Sequence, residues 1–187
     1  MTARAEGLRA GSSTVRTTPA RSAALTPAEE FEPDHPTPPN YPCADAGYSG
    51  RPDSLPAAML DGDPATGWSN GFTKAATALL PAFDAARQED WVSVDFGRAR
   101  NLDRVEVSFT VDATHTLPAS VVAEVWNGRG YVPVKGAAVD WATTSDAPTV
   151  VTFESTRGSR LRLTLASAHP GEARGAIRVS RLEAPAT

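Results

Sequence analysis

The chain has 187 residues, of which 41% are hydrophobic and 21% charged, which is enough for one packed domain and a tail. The net charge of -4, without any cluster of five Lys or Arg residues, argues against a nucleic-acid partner. No apolar run approaches the roughly eighteen residues of a transmembrane segment, and residues 1–30 lack the apolar region of a secretory signal. The single cysteine, Cys43, excludes an internal disulfide and a cysteine-based zinc cluster.

The first 42 residues differ in composition from the rest of the chain. They hold seven of the sixteen prolines, and the run Pro33–Pro39 can continue neither a helix nor a central strand. A short helical turn from Thr26 to Phe31 is the one element that this segment indicates. We therefore predict a disordered or polyproline-type linker or tail over residues 1–42 and a folded domain over residues 43–187.

The segment Leu60–Asn70, which reads LDGDPATGWSN, combines acids, turn formers, a hydroxyl and an indole. Asp-Gly and Asp-Pro steps favour tight turns, so this segment is an ordered loop. Clustered oxygens suit a hard cation such as calcium. The alternative is a turn in which Asp and Thr side chains only satisfy nearby backbone amides, and that arrangement is the commoner one.

Short strands with period-two alternation follow. Val92, Val94 and Phe96 alternate with polar residues, and the clearest alternation runs from Val105 to Val111. Between Val121 and Val134, two apolar segments flank the turn Asn127–Gly130, which predicts a hairpin. Further apolar runs are Val150–Phe153, Leu161–Leu165, Ile177–Val179 and the helical turn Ala75–Leu80, which Pro81 ends. Six or more short strands predict an all-β antiparallel sandwich or jelly roll.

The common catalytic motifs are absent, because the chain has no nucleophile elbow, P-loop, zinc-protease helix or Rossmann glycine pattern. Carboxylates on the predicted strands are expected to be exposed to solvent. They are Asp90, Asp95, Asp103, Glu106 and Glu124. A jelly-roll lyase would need a Tyr/His/Arg/Lys site on a sheet face, and Tyr131 has no evident basic partner in sequence. The sequence therefore favours a non-enzyme.

Loops that carry both aromatic and hydrogen-bonding side chains are candidates for sugar binding. Asn70, Phe72 and Lys74 follow the acidic loop, His115 lies between two strands, and Arg174 belongs to a weaker third loop. Trp91 and Trp126 open and close strands, so we expect them to pack rather than to bind. Trp68 has two alternatives, a sugar contact or a plug at the end of the sandwich.

The order of the segments LDGDPATGWSN, DWVSVDFGRARNLDRVEVSF, LPASVVAEVWNGRGYVPV, RLRLTL and IRVSRLEA resembles the discoidin, or coagulation-factor type C, superfamily over residues 43–184. The chain is most similar to the galactose-binding-like modules at the C-termini of bacterial glycoside hydrolases, such as family-two beta-galactosidases. This resemblance implies a jelly-roll β-sandwich, often with one structural Ca²⁺, and loops at one end that bind terminal sugars.

For the calcium site, the resemblance implies Asp63 and Thr66 as side-chain ligands and Leu60 as a carbonyl ligand. Arg181 stands where the family usually has a Glu, and a cation there repels calcium. Arg181 is instead expected to pair with Asp61 or Asp63. The sequence leaves calcium binding open.

The resemblance implies a non-catalytic carbohydrate-binding module that recognises galactose-type sugars or plant polysaccharides. The alternative is a structural C-terminal domain or fragment of a beta-galactosidase-type glycoside hydrolase with no ligand of its own. Expected partners are carbohydrate and a glycoside hydrolase catalytic domain, with no nucleic acid and no transmembrane segment. By analogy with such modules, the protein is expected to be secreted.

Overall fold

The computed structural model describes residues 2–3, 7, 11–12, 14, 40–51 and 53–185. The chain divides into two compact units, Met1–Pro38 and Pro39–Thr187. In the first unit, strand β1 (Thr2–Ala3) pairs antiparallel with β2 (Gly11–Ser12). The predicted helical turn Thr26–Phe31 and most of the predicted linker lie outside the described residues, so both stay predictions.

Two long antiparallel strands organise the second unit. They are β5 (Glu89–Phe109) and β9 (Pro148–Ala166), which pair along nearly their whole length. The register shifts between Asp95 and Arg100 and again between Leu102 and Arg104. At these shifts both strands turn a corner, so each contributes its two halves to two different layers. The other strands are β3 (Cys43–Ala46), β4 (Trp68–Ser69), β6 (Ser120–Trp126), β7 (Tyr131–Pro133), β8 (Ala138–Asp140) and β10 (Arg178–Glu183).

The two layers follow from the pairing of these strands. One layer has the order β3–β5–β9–β6–β7 and uses the first half of β5 with the second half of β9. The other has the order β4–β10–β5–β9–β8 and uses the remaining halves. The prediction of an all-β antiparallel sandwich is thereby confirmed.

Alternate residues of the strands fill the core between the layers. Val92 and Val94 on β5, like Leu161 and Leu163 on β9, are almost fully buried. Trp68 is 0% exposed, and its indole Nε1 donates a hydrogen bond of 2.8 Å to the Tyr48 carbonyl. Trp68 therefore plugs the end of the sandwich and is not a sugar contact. Burying so large a ring stabilises the fold by on the order of 3–5 kcal/mol.

The sandwich has a corner end and a loop end. Glu89 at the start of β5 faces Ala166 at the end of β9, and Ser108 near the end of β5 faces Pro148 at the start of β9. Because both strands turn at the corner between these two pairs, all four strand ends lie at the same end of the sandwich, the loop end. Two helical turns, α1 (Lys74–Leu79) and a 3₁₀ turn Pro81–Phe83, connect β4 to β5 there. The helical prediction over Ala75–Leu80 with its stop at Pro81 is confirmed.

The outer face of the layer β3–β5–β9–β6–β7 corrects one expectation, which concerns Tyr131. Trp91 and Trp126 are half-buried on this face, out of phase with the inward-facing Val92 and Val125, and the Trp126 ring packs edge-on against Tyr131 with centroids 5.3 Å apart. The Arg162 guanidinium lies 4.1 Å from the centroid of Tyr131, so this tyrosine does have a basic neighbour. Arg162 is paired to Glu124 at 2.8 Å, which leaves its charge compensated rather than available for catalysis.

Strand β5 also ends earlier than its alternation predicts. It stops at Phe109, and Val111 is an exposed loop residue. The backbone N–H of Val111 donates to Ser145 Oγ at 3.0 Å and not to a carbonyl of a neighbouring strand. A side-chain acceptor thus ends the ladder two residues before the hydrophobic alternation does.

Candidate functional site

A cavity of about 470 Å³ opens at the loop end of the sandwich. Its wall comes from three stretches that are distant in sequence: residues 70–86, which include helix α1 and the turn before β5, the loop before β6, and the loop before β10. Four of the five predicted sugar-binding residues line it, namely Asn70, Phe72, Lys74 and Arg174. The fifth, His115, lies behind the wall next to the lining residue Thr114.

Aromatic rings form one side of this cavity. Phe72 and Phe83 are stacked with their centroids 4.7 Å apart and an interplanar angle of 25°. Tyr48 meets the edge of Phe72 at 5.9 Å, which fixes the Phe72 ring from behind. Phe83 remains 47% exposed and presents a free ring to the cavity. Exposed aromatic faces attract the weakly positive C–H groups of sugar rings.

Hydrogen-bonding groups also line this cavity. Lys74 and Thr77 lie one turn apart on α1, which begins after Thr73 because the Thr73 hydroxyl caps the Ala76 N–H at 3.3 Å. Arg174 carries an ion pair to Glu172 at 2.8 Å, and this pair lowers the pKa of Glu172. Together these groups offer ammonium, guanidinium and hydroxyl donors around an aromatic face.

Asn70 is held by the protein at both ends of its amide. Its Nδ2 donates to Asp90 at 2.7 Å, and its Oδ1 accepts the backbone N–H of Ile177 at 2.8 Å. Asp90 is only 4% exposed, which corrects its expected surface position. Burial raises the pKa of Asp90, while the Asn70 bond and the charge of Arg87, 3.1 Å away, partly oppose this rise. Asn70 therefore positions the cavity wall.

His115 belongs to a second buried network with Ser69 and Asp112. The His115 Nδ1 lies 2.9 Å from the Asp112 carboxylate, and Nε2 lies 2.9 Å from Ser69 Oγ. Since a carboxylate only accepts, the His115 Nδ1 carries a hydrogen and donates it to Asp112. Burial would raise the pKa of Asp112, but hydrogen bonds from Thr114 and His115 outweigh it and hold that pKa well below its usual value.

The order Ser–His–Asp is that of a nucleophilic triad, but access to the hydroxyl is missing. Ser69 is 2% exposed, and its Oγ also accepts the Gly71 N–H at 3.0 Å. Neither Ser69 nor His115 lines the cavity. A substrate therefore cannot reach the oxygen, and the network serves to fix the loop that carries Thr114.

The predicted calcium ligands Leu60, Asp63 and Thr66 lie in one loop, where the side chains of Asp63 and Thr66 already take part in hydrogen bonds. Asp61 accepts the Asp63 N–H at 2.8 Å and the Thr66 hydroxyl at 2.7 Å, and Asp63 accepts the Ala65 N–H at 2.9 Å. These are the backbone-satisfying bonds of the simpler alternative. Within the described residues, no group of three or more acidic, His or Cys side chains converges as a metal site. Arg181 pairs with Glu183, not with Asp61 or Asp63 as expected.

Sequence reasoning missed Phe83, Thr77 and Asp90. Phe83 follows a proline in a short turn without periodicity, so only its stacking on Phe72 reveals its place. Asp90 opens an amphipathic strand, where an acid normally faces water. Its burial depends on Asn70, twenty residues away in sequence.

Comparison with protein families identifies this domain. The F5/8 type C domain model matches residues 44–179, so the chain belongs to that family and the resemblance found in the sequence is confirmed. Comparison with curated protein sequences gives no match. In the described part of the chain, no helix is long and apolar enough to cross a membrane.

Solved structures of similar fold include three from Streptococcus pneumoniae and Clostridium perfringens. A structure of the Streptococcus pneumoniae beta-galactosidase BgaA is 14% identical, with a TM-score of 0.62 over 78% of this chain and 96% of that one. CpGH89CBM32-5 of Clostridium perfringens, solved with GalNAc-beta-1,3-galactose, is 16% identical, with a TM-score of 0.58 over 77% and 94%. The family 32 carbohydrate-binding module of Clostridium perfringens NanJ, solved with galactose, is 17% identical, with a TM-score of 0.57 over 76% and 91%.

Proposed function

We propose that this protein is a non-catalytic carbohydrate-binding module that holds terminal sugars, of galactose type or from plant polysaccharides, in the cavity at the loop end. The observation that carries the proposal is the exposed Phe83 ring, stacked on Phe72 in a cavity that Lys74 and Arg174 also line. An aromatic face beside charge-bearing donors is the combination that binds a sugar ring and its hydroxyls. The modules of similar fold solved with galactose and with GalNAc-beta-1,3-galactose support the same function.

Within this proposal, Phe72, Phe83, Lys74 and Arg174 contact the sugar. Asn70 and His115, which the sequence also suggested as sugar ligands, act indirectly, because their polar groups are already bonded inside the domain. The sealed Ser69 hydroxyl agrees with a module that binds without reacting. The protein would act outside the cell, where polysaccharides are found, and alongside a glycoside hydrolase.

Affinity electrophoresis and a glycan array test this function. We expect retardation in gels that contain a galactose-bearing or plant polysaccharide, and at least tenfold weaker binding, or about 1.4 kcal/mol, for Phe83→Ala and Lys74→Ala. Trp141→Ala and Lys135→Ala are matched controls, since both residues are on the surface and outside the cavity wall. Absence of binding to every such glycan would favour the alternative, a structural domain of a beta-galactosidase-type enzyme.

A further inference from the structure

An arginine of strand β10 is hydrogen-bonded to the acidic loop, Leu60–Asn70. Arg178 opens β10 and lies opposite Ser69 of β4. Its Nη2 donates to the carbonyl of Ala65 at 2.8 Å and to the carbonyl of Thr66 at 3.2 Å. The guanidinium thus takes up two oxygens from the very loop that was expected to hold a metal.

The backbone around this contact is closely packed. Gly67 has a φ of +151°, and a Cβ there would lie 2.6 Å from the Val179 carbonyl oxygen, so only glycine lets the loop approach β10 so closely. The Ser54 hydroxyl donates to the Gly67 carbonyl at 3.1 Å from the other side. Arg178 is partly buried: its Nε is shielded from solvent and has no hydrogen-bond partner among the described residues, while its Nη2 reaches the loop carbonyls. The loop and β10 therefore hold the arginine in one position.

A guanidinium and a calcium ion exclude each other at these oxygens. Calcium needs six to eight oxygens at about 2.3–2.6 Å, and the Arg178 guanidinium already lies against two carbonyl oxygens of this loop. A fixed positive charge on Arg178 also repels a divalent cation, and Asp61 and Asp63 are committed to hydrogen bonds within the loop. The Glu183 carboxylate of the same strand is paired with Arg181.

We propose that Arg178 is the internal cation of this loop and that the domain folds without calcium there. Carbonyls that a metal would draw together are held instead by two charge-assisted hydrogen bonds, which are stronger than neutral ones. The proposal does not depend on sugar binding, because the loop lies along β10 and contributes no residue before Asn70 to the cavity.

Thermal unfolding of the full chain, in calcium chloride and in EDTA, tests the absence of calcium. We expect the two midpoints to agree. A calcium ion at a hundredfold excess over its Kd would raise the midpoint by about 5 to 10 °C, and such a rise would overturn the proposal. Calcium titration calorimetry on the same protein is expected to give no binding heat.

Substitution of Arg178 tests whether its hydrogen bonds to the loop stabilise the domain. Arg178→Ala is expected to lower the midpoint by about 4 to 10 °C in both buffers, and Arg178→Lys, which keeps a charge but not the planar fork, to lower it by less. Arg129→Ala is the matched control, because Arg129 is exposed in the β6–β7 turn. An Arg178→Ala midpoint equal to that of Arg129→Ala would overturn the assignment. If Arg178→Ala does not fold, the Arg178→Lys variant and the calcium titration of the unmodified chain still test the proposal.

Discussion

Asn70 shows how one side chain can join strands and loops that the sequence separates. Its amide links Asp90, at the start of β5, to the backbone N–H of Ile177, just before β10. All three groups are buried, so without the amide the Ile177 N–H would have no partner and Asp90 would keep only its ion pair to Arg87. Asn70 is therefore expected to matter for stability first and for the cavity wall second.

We predict that Asn70→Ala lowers the free energy of unfolding by about 2–4 kcal/mol, because the buried Ile177 N–H loses its partner and the buried Asp90 carboxylate loses one of its hydrogen bonds. Urea denaturation measures this change. Asn101→Ala is the control, since Asn101 is exposed at the corner of β5, and its cost is expected to stay within about 0.5 kcal/mol. Equal losses for the two variants would contradict the positioning role.

Two aspartates in these networks have pKa values shifted in opposite directions. The pKa of Asp90 is raised, so its contribution to stability is present below the unfolded pKa of about 3.9 and is lost as the pH rises through the folded pKa. The pKa of Asp112 is lowered, so its contribution is present above about pH 4 and is lost as the pH falls. The two residues therefore respond oppositely to acid.

We predict that Asp112→Asn unfolds at a lower temperature than the unmodified chain at pH 7 and that this difference narrows from about pH 5 to about pH 2. The reason is that the unmodified chain loses the Asp112 contribution over this range, whereas the amide cannot titrate. Midpoints of thermal unfolding measured at each pH give the comparison. A difference that is constant with pH would mean that the charge of Asp112 plays no part.

At the scale of elements, the corner between the two layers is the feature whose packing leaves the least room for a larger side chain. Gly158 lies where β9 turns, and a Cβ at this position would overlap the side chain of Val125 on β6. Both β5 and β9 pass through this corner, so a displacement here affects both layers. Closely packed protein interiors absorb such an overlap poorly.

We predict that Gly158→Ala lowers the free energy of unfolding by about 1–3 kcal/mol or more through overpacking. Gly130→Ala is the matched control, because a Cβ at Gly130 meets nothing within 4 Å. Denaturant titration of both variants tests this prediction. If Gly158→Ala were as stable as Gly130→Ala, the corner would be more adaptable than its packing indicates.

The strands themselves were predictable because their signal is local. The alternation of Val92, Val94 and Phe96 and the glycine-rich turn Asn127–Gly130 each predicted the element that the structure contains. The helix stop at Pro81 was equally local. Errors arose where a single residue broke the pattern, as at Asp90, whose polar side chain is buried because a distant partner satisfies it.

At the scale of the whole molecule, the loop end and the corner end have different tasks. The long strands β5 and β9 start and finish at the loop end, so the loops with Phe72, Thr114 and Arg174 converge there around one cavity. The corner end closes the core between the layers. A binding site built on loops over a rigid sandwich can vary in specificity without loss of the fold.

We predict that a fragment of residues 39–187 unfolds at the same temperature as the full chain, because the elements of the sandwich, from Cys43 to Glu183, all lie within it. This prediction extends the expected division into residues 1–42 and 43–187. Differential scanning calorimetry of the fragment and the full chain provides the measurement. A lower midpoint for the fragment would show that earlier residues stabilise the domain.

The sequence by itself determined the strands, the helical turn, the sandwich and the family, since hydrophobic period, turn residues and motif order are all written locally along the chain. Only the tertiary structure decided that Phe83 completes the cavity wall, that Ser69 is sealed, and that Arg178 rather than an acid meets the carbonyls of Ala65 and Thr66. These contacts join residues up to 113 positions apart. Their geometry depends on how the two layers pack, which no local pattern encodes.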